Sequence, residues 1–399
     1  MANVSVDQYF SQSYGEARKK FIDHAKASRF VVTEFANEDF KSSEGGLLSM
    51  DIAVKGPIEA KNVIVISSGT HGVEGYCGSG IQSALFGERV FGEMSSDCRV
   101  VMIHAVNPFG FAHDRRVNED NIDLNRNFFD FSDQLPSDDK YAEIHDWLVP
   151  AEWDGDIREK ADMALAEYMG RVGMPQFQEA ASGGQYSFAN GLFYGGRKSS
   201  WSADTYLNIV AELGQHAEQL IFIDFHTGLG PYGHGELISL GSDVQKQRTA
   251  KFYSNFEVTD PDAGTSSSAP LNGTMGHGVE RVLPDKDLVF VALEYGTLPG
   301  TEVMAAVRAD NWLYANGDLN SELGTSIKRQ IRDAFYCDQS DWKEMVWRRA
   351  HDVVSSTLDN VRTQRTFLWM PRRPTRMNPV FDRRERSFVS DYRYREPFG

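Results

Sequence analysis

Residues 63–74 read V-I-V-I-S-S-G-T-H-G-V-E, a branched apolar run that stops at a small-residue turn and delivers a histidine and a glutamate. Val63, Ile64, Val65 and Ile66 show no polar alternation, so neither face of the strand they form can meet water. Such a strand belongs in a sheet covered by helices on both sides. Three more runs share this character: VVMIHAV (100–106), LIFIDF (220–225) and LVFVALE (288–294). Between them lie helix-like stretches, SGIQSALFGERVF (79–91) and ADTYLNIVAELGQHA (203–217). Near the N-terminus, Tyr9, Phe10, Tyr14, Ala17, Phe21 and Ala25 recur at helical intervals over about residues 5–30. Alternating strands and helices predict an α/β fold: a mixed, largely parallel twisted sheet with helices on both faces.

At 399 residues the chain is long enough to bury a large core. Residues 1–361 read as one catalytic-sized domain carrying a polar, aromatic insertion at about 130–200. Within that insertion DIREKADMALAEYMGRV (156–172) has helical spacing. From residue 362 onward the composition changes to ten Arg and no Lys, interleaved with Pro and aromatics. This basic segment, 362–399, is expected to be poorly ordered. The formal net charge of −16 excludes a general nucleic-acid binder, which needs a basic face. Cys77, Cys98 and Cys337 are odd in number and widely spaced, which excludes a disulfide framework and a thiolate zinc site. With no apolar leader and no long apolar run, the expectation is a soluble cytoplasmic protein that does not engage membranes.

The chemistry gathers where the strands end. His71 and Glu74 bracket two residues after the first strand, and one loop can aim an imidazole and a carboxylate at one cation. Zinc sites made of two His and one Glu keep a position open for water. The third ligand must come from elsewhere, and His226, after LIFIDF, ends another apolar strand. Open α/β sheets gather ligands at the carboxyl ends of their strands. The alternative for each histidine taken singly is a turn or core residue. A second block, NPFGFAHDRRVNEDNIDLNRNFF (107–129), packs Arg116, Asn118, Asp123, Asn125 and Arg126 into one loop. A loop so rich in fixed donors suits an anion, since Arg presents a planar fork to a carboxylate or an oxyanion; its alternative is an Arg–Asp brace. In the third block, DLVFVALEYGTLPG (287–300), Glu294 ends an apolar strand. There an ionised carboxylate is costly unless it is paired or is working as a base.

Together these blocks resemble the zinc carboxypeptidase superfamily, in particular bacterial branches with murein-peptide amidases and uncharacterised relatives. HGVE (71–74), RVNEDNIDLNRNF (116–128), FHTG (225–228) and LEYGT (293–297) carry the likeness. The middle block is the most specific: R-x-N, four residues, then D-L-N-R-N-F is met at every fixed position. The resemblance spans roughly residues 45–310. It implies one Zn2+ per chain held by His71, Glu74 and His226. It further implies Arg116 at the scissile carbonyl, Asn125 and Arg126 gripping a substrate carboxylate, Asp123 hydrogen-bonded to a ligand imidazole, and Glu294 as general base. The implied activity is hydrolysis of an amide next to a free carboxylate, on a small peptide or an N-acyl amino acid.

Three features depart from that pattern. The stretch before His226 is longer than in digestive carboxypeptidases, the substrate-capping tyrosine has only Tyr232 and Tyr295 as candidates, and the basic tail has no counterpart. Competing readings are an N-acyl amino-acid deacylase resembling succinylglutamate desuccinylase and aspartoacylase, and a non-catalytic zinc or ligand binder on the same fold. A nucleotide binder using GYCGSG (75–80) lacks the P-loop lysine and the full GxGxxG. His104, His113, His234 and His277 are expected to be structural or pocket-lining. Oligomeric state is not legible in the sequence.

Overall fold

The computed structural model describes residues 5–92 and 94–363. Among these, eight strands form one sheet: β1 (Val31–Lys41), β2 (Leu47–Lys55), β3 (Asn62–Ser68), β4 (Cys98–His104), β5 (Gln219–Tyr232), β6 (Gly235–Ser239), β7 (Val258–Thr259) and β8 (Asp287–Gly296). Their order is β1-β2-β4-β3-β5-β8-β6-β7. The centre, β4-β3-β5-β8, is parallel throughout. The β1–β2, β2–β4 and β6–β8 pairs are antiparallel, and β7 joins β6 in parallel. The sheet is therefore mixed, with a parallel core built from the four runs that the sequence marks as buried.

Twelve helices accompany it: α1 (Tyr14–Ala27), α2 (Gly75–Gly87), α3 (Pro108–Ala112), α4 (Asp139–Leu148), α5 (Gly155–Val172), α6 (Met174–Ser182), α7 (Trp201–Leu213), α8 (Asp243–Phe252), α9 (Met275–Val282), α10 (Gly300–Asn316), α11 (Glu322–Phe335) and α12 (Ser340–Thr363). The predicted N-terminal helix breaks in two, a 3-10 turn at Val6–Tyr9 and then α1, which Ser13 caps by accepting from the Glu16 amide. That side-chain acceptor satisfies one of the orphan donors of the first turn and fixes where the helix begins.

Strand parity divides the core. Ile64, Ile66, Ile221, Ile223, Val289 and Val291 point to one face, where they pack with Phe21 of α1, Ile81 and Leu85 of α2, and Val346 and Val353 of α12. The alternate residues Val63, Val65, Leu220, Phe222, Leu288 and Phe290 meet Tyr206 and Val210 of α7 and Val279 of α9 on the other face. Each such side chain contributes about 1.5–3 kcal/mol on leaving water, so both faces demand cover. A third cluster joins Ile144 and Leu148 of α4, Tyr168 of α5 and Ala180 of α6 to Val303 and Ala306 of α10 and Ile331 of α11. The insertion, in which the sequence marks one helix at 156–172, thus holds three, α4, α5 and α6. The described chain ends in α12 at Thr363, and the Arg-rich segment beyond lies outside the described residues.

The glycines of GYCGSG serve close packing. A Cβ on Gly78 would come within 2.6 Å of the Ser68 Cβ, and one on Gly75 within 2.5 Å of the Phe111 ring. Helix α2 begins at Gly75 and is buried through Phe86, so the run presses a helix onto β3.

From β3 the chain moves to β4 on one side and later returns to β5 on the other. The carboxyl ends of β3 and β5 flank the point where the winding reverses, the place where such sheets open a crevice for ligands.

Candidate metal centre

His71 follows β3 and opens a one-turn 3-10 helix, Gly72–Glu74. This tight turn puts both side chains on one side. Gly72 is required there: a Cβ would lie 2.0 Å from the Gly110 carbonyl carbon at α3. Two backbone bonds, Gly72 N–H to Arg116 O (3.0 Å) and Val73 N–H to Arg115 O (2.8 Å), tie this turn to the loop after β4. His226 comes from β5, which runs seven residues past the predicted end, and is in register with Glu294 on parallel β8.

The three side chains converge. His71 Nδ1 is 2.9 Å from Glu74 Oε1, His226 Nδ1 is 2.9 Å from Glu74 Oε2, and the two Nδ1 atoms are 3.3 Å apart. They form the one His/Cys/Asp/Glu group among the described residues whose ligand atoms all lie close enough to share an ion. A tetrahedral ion with bonds of about 2.0–2.1 Å would hold its ligands about 3.3 Å apart. The donor set and its spacing fit a divalent cation of the zinc type. Glu74 is 1% exposed. Burial alone would push its carboxyl up, but the two imidazoles hold it below the usual carboxylate range, ready to bind as an anion.

Behind each imidazole stands an aspartate. Asp123 Oδ1 is 3.1 Å from His71 Nε2. Asp224 Oδ2 is 2.6 Å from His226 Nε2, a contact the sequence reading missed. Asp224 is itself held by Ser67 Oγ at 2.6 Å and by the Thr70 hydroxyl at 2.9 Å and 3.0 Å. A carboxylate on the far nitrogen fixes the tautomer, turns the ring and raises its basicity. Burial works against a proton on His226, but the Asp224 carboxylate, with help from Glu74, lifts its pKa well above the ordinary value. The missed signal was parity: residues 224 and 226 share one strand face, so a buried Asp two before a candidate ligand must meet it or its neighbours.

Arg116 lies across the centre. It donates through Nη1 to Glu74 Oε1 at 2.9 Å and through Nε to Asp123 Oδ2 at 3.0 Å, and its Nη2 is 2.8 Å from His71 Nε2. These anions hold the guanidinium charged despite its burial.

Glu294 is 8% exposed, and its Oε1 accepts the Leu229 amide at 3.0 Å. That amide is turned toward it just beyond Gly228, whose φ of 128° is a left-handed conformation that suits glycine. Burial, then the like charge of Glu74, raises the Glu294 carboxyl to about 8. A carboxyl poised near neutrality suits a general base.

The remaining expected residues sit one layer away. Asn125 uses its side-chain oxygen to accept the Met275 amide at 3.0 Å. Arg126 is 2% exposed; it donates to Ser182 O from Nε (3.1 Å) and Nη2 (2.5 Å) and to Asn125 O from Nη1 (2.9 Å). Its nearest anion, Asp123 Oδ1, is 3.9 Å away. Tyr295 follows Glu294 and so points to the opposite sheet face, fully buried against Gly235. Tyr232 is half-exposed with its hydroxyl on Asp341 at 3.1 Å. His104 is buried against Phe21 and Ser79. His113 bonds Lys41 O, His277 bonds the Thr274 hydroxyl, and His234 is exposed.

A family model described as "Protein of unknown function (DUF2817)" matches residues 10–349. No curated protein sequence matches the chain. Solved structures similar to it include bovine thrombin-activatable fibrinolysis inhibitor in complex with tick carboxypeptidase inhibitor, at 11% identity and TM-score 0.47 over 89% of this chain and 99% of that one. Succinylglutamate desuccinylase from Chromobacterium violaceum aligns at 15% identity and TM-score 0.35, over 76% and 73%. A metallo-carboxypeptidase from Pseudomonas aeruginosa in complex with (2-guanidinoethylmercapto)succinic acid aligns at 13% identity and TM-score 0.33, over 86% and 71%. No helix among the described residues is long and apolar enough to cross a membrane.

Proposed function

We propose that this chain, which belongs to the DUF2817 family, is a zinc-dependent hydrolase that cleaves an amide bond next to a free carboxylate. The observation that carries the reading is a buried carboxyl, Glu294, whose Oε1 accepts the Leu229 amide, and the largely enclosed guanidinium of Arg116, beside the His71–Glu74–His226 group. Binding a cation needs neither of them, so their presence argues against a purely structural or ligand-storing role.

When bound by His71, Glu74 and His226, a zinc ion would supply Lewis acidity, activating water near neutral pH and polarising a carbonyl. Glu294 then takes the proton from the attacking water and passes it to the leaving amine. Arg116 stabilises the negative charge that grows on the carbonyl oxygen; losing one such donor costs about 100- to 1,000-fold in rate. Asp123 and Asp224 hold the two imidazoles in one tautomer and one orientation.

Arg126 is suited to the substrate carboxylate. Three of its five N–H groups are taken by the Ser182 and Asn125 carbonyls. The two left over are the number a carboxylate fork requires. Burial depresses the guanidinium pKa more than the nearby Asp123 carboxylate raises it, so an arriving carboxylate would stabilise the charged form. Asn125 braces the same turn against α9. Substrates are small peptides with a free C-terminus or N-acyl amino acids. The enclosure of the ligands and of Arg126 favours the smaller, acyl amino-acid class.

Purified protein loaded with zinc should hydrolyse N-acyl amino acids or short peptides, lose that activity to a chelator, and ignore the corresponding C-terminal amides. Glu294→Gln should retain one zinc per chain and lose turnover by more than about 100-fold. Near-normal rates in that variant, or equal rates on amides and free acids, would overturn the assignments of Glu294 and Arg126 respectively.

A further inference from the structure

Close to both guanidiniums, Arg116 and Arg126, lies an aromatic ring that the chemistry above does not use. The Phe193 ring centroid is 5.4 Å from the Arg116 guanidinium carbon and 5.6 Å from that of Arg126. The backbone at Phe193 is left-handed, with φ of 51°, in a loop that supplies glycine at 191, 195 and 196. A bulky residue there is strained, and it persists only because its neighbours over-determine it. The Leu192 amide donates to the Tyr141 hydroxyl at 2.7 Å, Phe193 O accepts the Gln185 amide at 3.2 Å, and Tyr194 O accepts the Asp123 amide at 2.8 Å. Held on three sides, the chain turns one large side chain toward Arg116 and Arg126, while its apolar body joins the cluster that includes Val73. Glycine would meet the backbone demand without strain but would leave no ring beside the two cations.

We infer that Phe193 is the specificity-determining residue of this site, its ring forming the wall against which the side chain of the carboxylate-bearing amino acid must fit. The inference rests on the assignment of Arg116 to the scissile carbonyl and Arg126 to the carboxylate. Those two groups are separated in the substrate by only the amide nitrogen and one α-carbon, and the ring lies near both guanidiniums. A flat ring at that position favours glycine, alanine and other small residues and excludes branched or aromatic ones. Cation–π attraction to both guanidiniums keeps it in place.

The test compares wild type with Phe193→Ala and Phe193→Leu on N-acetylated glycine, alanine, leucine and phenylalanine, each protein zinc-loaded and checked for retained secondary structure. Binding of the same compounds to the Glu294→Gln variant is measured by calorimetry. Wild type should rank small residues first. Phe193→Ala should raise kcat/KM for the leucine and phenylalanine compounds relative to glycine by roughly tenfold or more, mainly through KM, with Phe193→Leu between. An unchanged ranking in Phe193→Ala, or a uniform loss across the series, would overturn the inference and leave the hydrolase reading standing. If wild type neither hydrolyses nor, as Glu294→Gln, binds any member, the hydrolase reading falls and the inference with it.

Discussion

Asp123 and Asp224 each take the Nε2 side of an imidazole whose Nδ1 side faces Glu74. They arrive differently, one from the loop after β4 and one from β5, yet perform the same task of presenting one lone pair to the centre. Asp224→Asn keeps the shape and loses the charge that makes His226 basic. Its affinity for zinc, read by competition with a chromogenic chelator, should fall about 10- to 100-fold; an unchanged affinity would remove Asp224 from the account. Glu294 makes a second prediction. In the metal-free protein its carboxyl is raised to about 8 from the ordinary 4.5, so the folded state keeps a proton that the unfolded state has released. Between those values unfolding releases protons, and stability must fall as pH rises. Denaturant melts of chelator-treated protein from pH 5 to 8 should show that decline, and Glu294→Gln should flatten it. An identical slope in the variant would place the pH dependence elsewhere. His71, Glu74, His226, Arg116, Asp123 and Glu294 are the residues that the sequence singles out, because each ends a strand or fills a short donor-rich loop. Asp224 carried a weaker signal, a carboxylate inside LIFIDF that has no cheap reason to be there. Phe193 had no signal at all, since its conformation is set by partners at residues 123, 141 and 185.

At the level of elements, the strand–turn unit β3–His71–Glu74 carries the most information per residue. Its turn is locked by Gly72 against Gly110 of α3. Gly72→Ala must displace one segment or the other. Overpacking of this kind costs about 1–3 kcal/mol, and here the displaced segment carries two ligands. A lowered melting temperature with loss of bound zinc is expected; stoichiometric zinc at wild-type stability would contradict the geometry. The four central strands were readable because burial on both faces leaves unbroken branched apolar runs. Strands β1 and β2 were missed: β1, at the edge of the sheet, carries Glu34, Asn37, Glu38 and Asp39 and is largely exposed or half-buried, so no apolar run marks it. Helices α4–α6 and α10–α11 bury their apolar faces against each other, a pairing between segments more than a hundred residues apart. Local spacing caught only α5 among them.

Over the whole molecule, the sheet acts as an alignment device. Parity sends Ser67, Asp224, His226 and Glu294 to one face, and the parallel register of β3, β5 and β8 brings their ends level. The fold class was legible because the covering of both faces is written into each central strand, and the crevice followed from where the winding reverses. The surroundings of Asn125 and Arg126 were not, because they come from Ser182, Tyr186 and Phe193 of the insertion and from Met275 at the start of α9. The claim on which everything depends is that two side chains of one turn, His71 and Glu74, and His226 from a distant strand bind one ion. Crystals grown with zinc, with diffraction data collected at the zinc absorption edge, test it directly. The account predicts a single anomalous peak about 2.0–2.2 Å from His71 Nδ1, His226 Nδ1 and a Glu74 oxygen, absent in His226→Ala. A peak bonded to other residues, or none at full zinc loading, would contradict it.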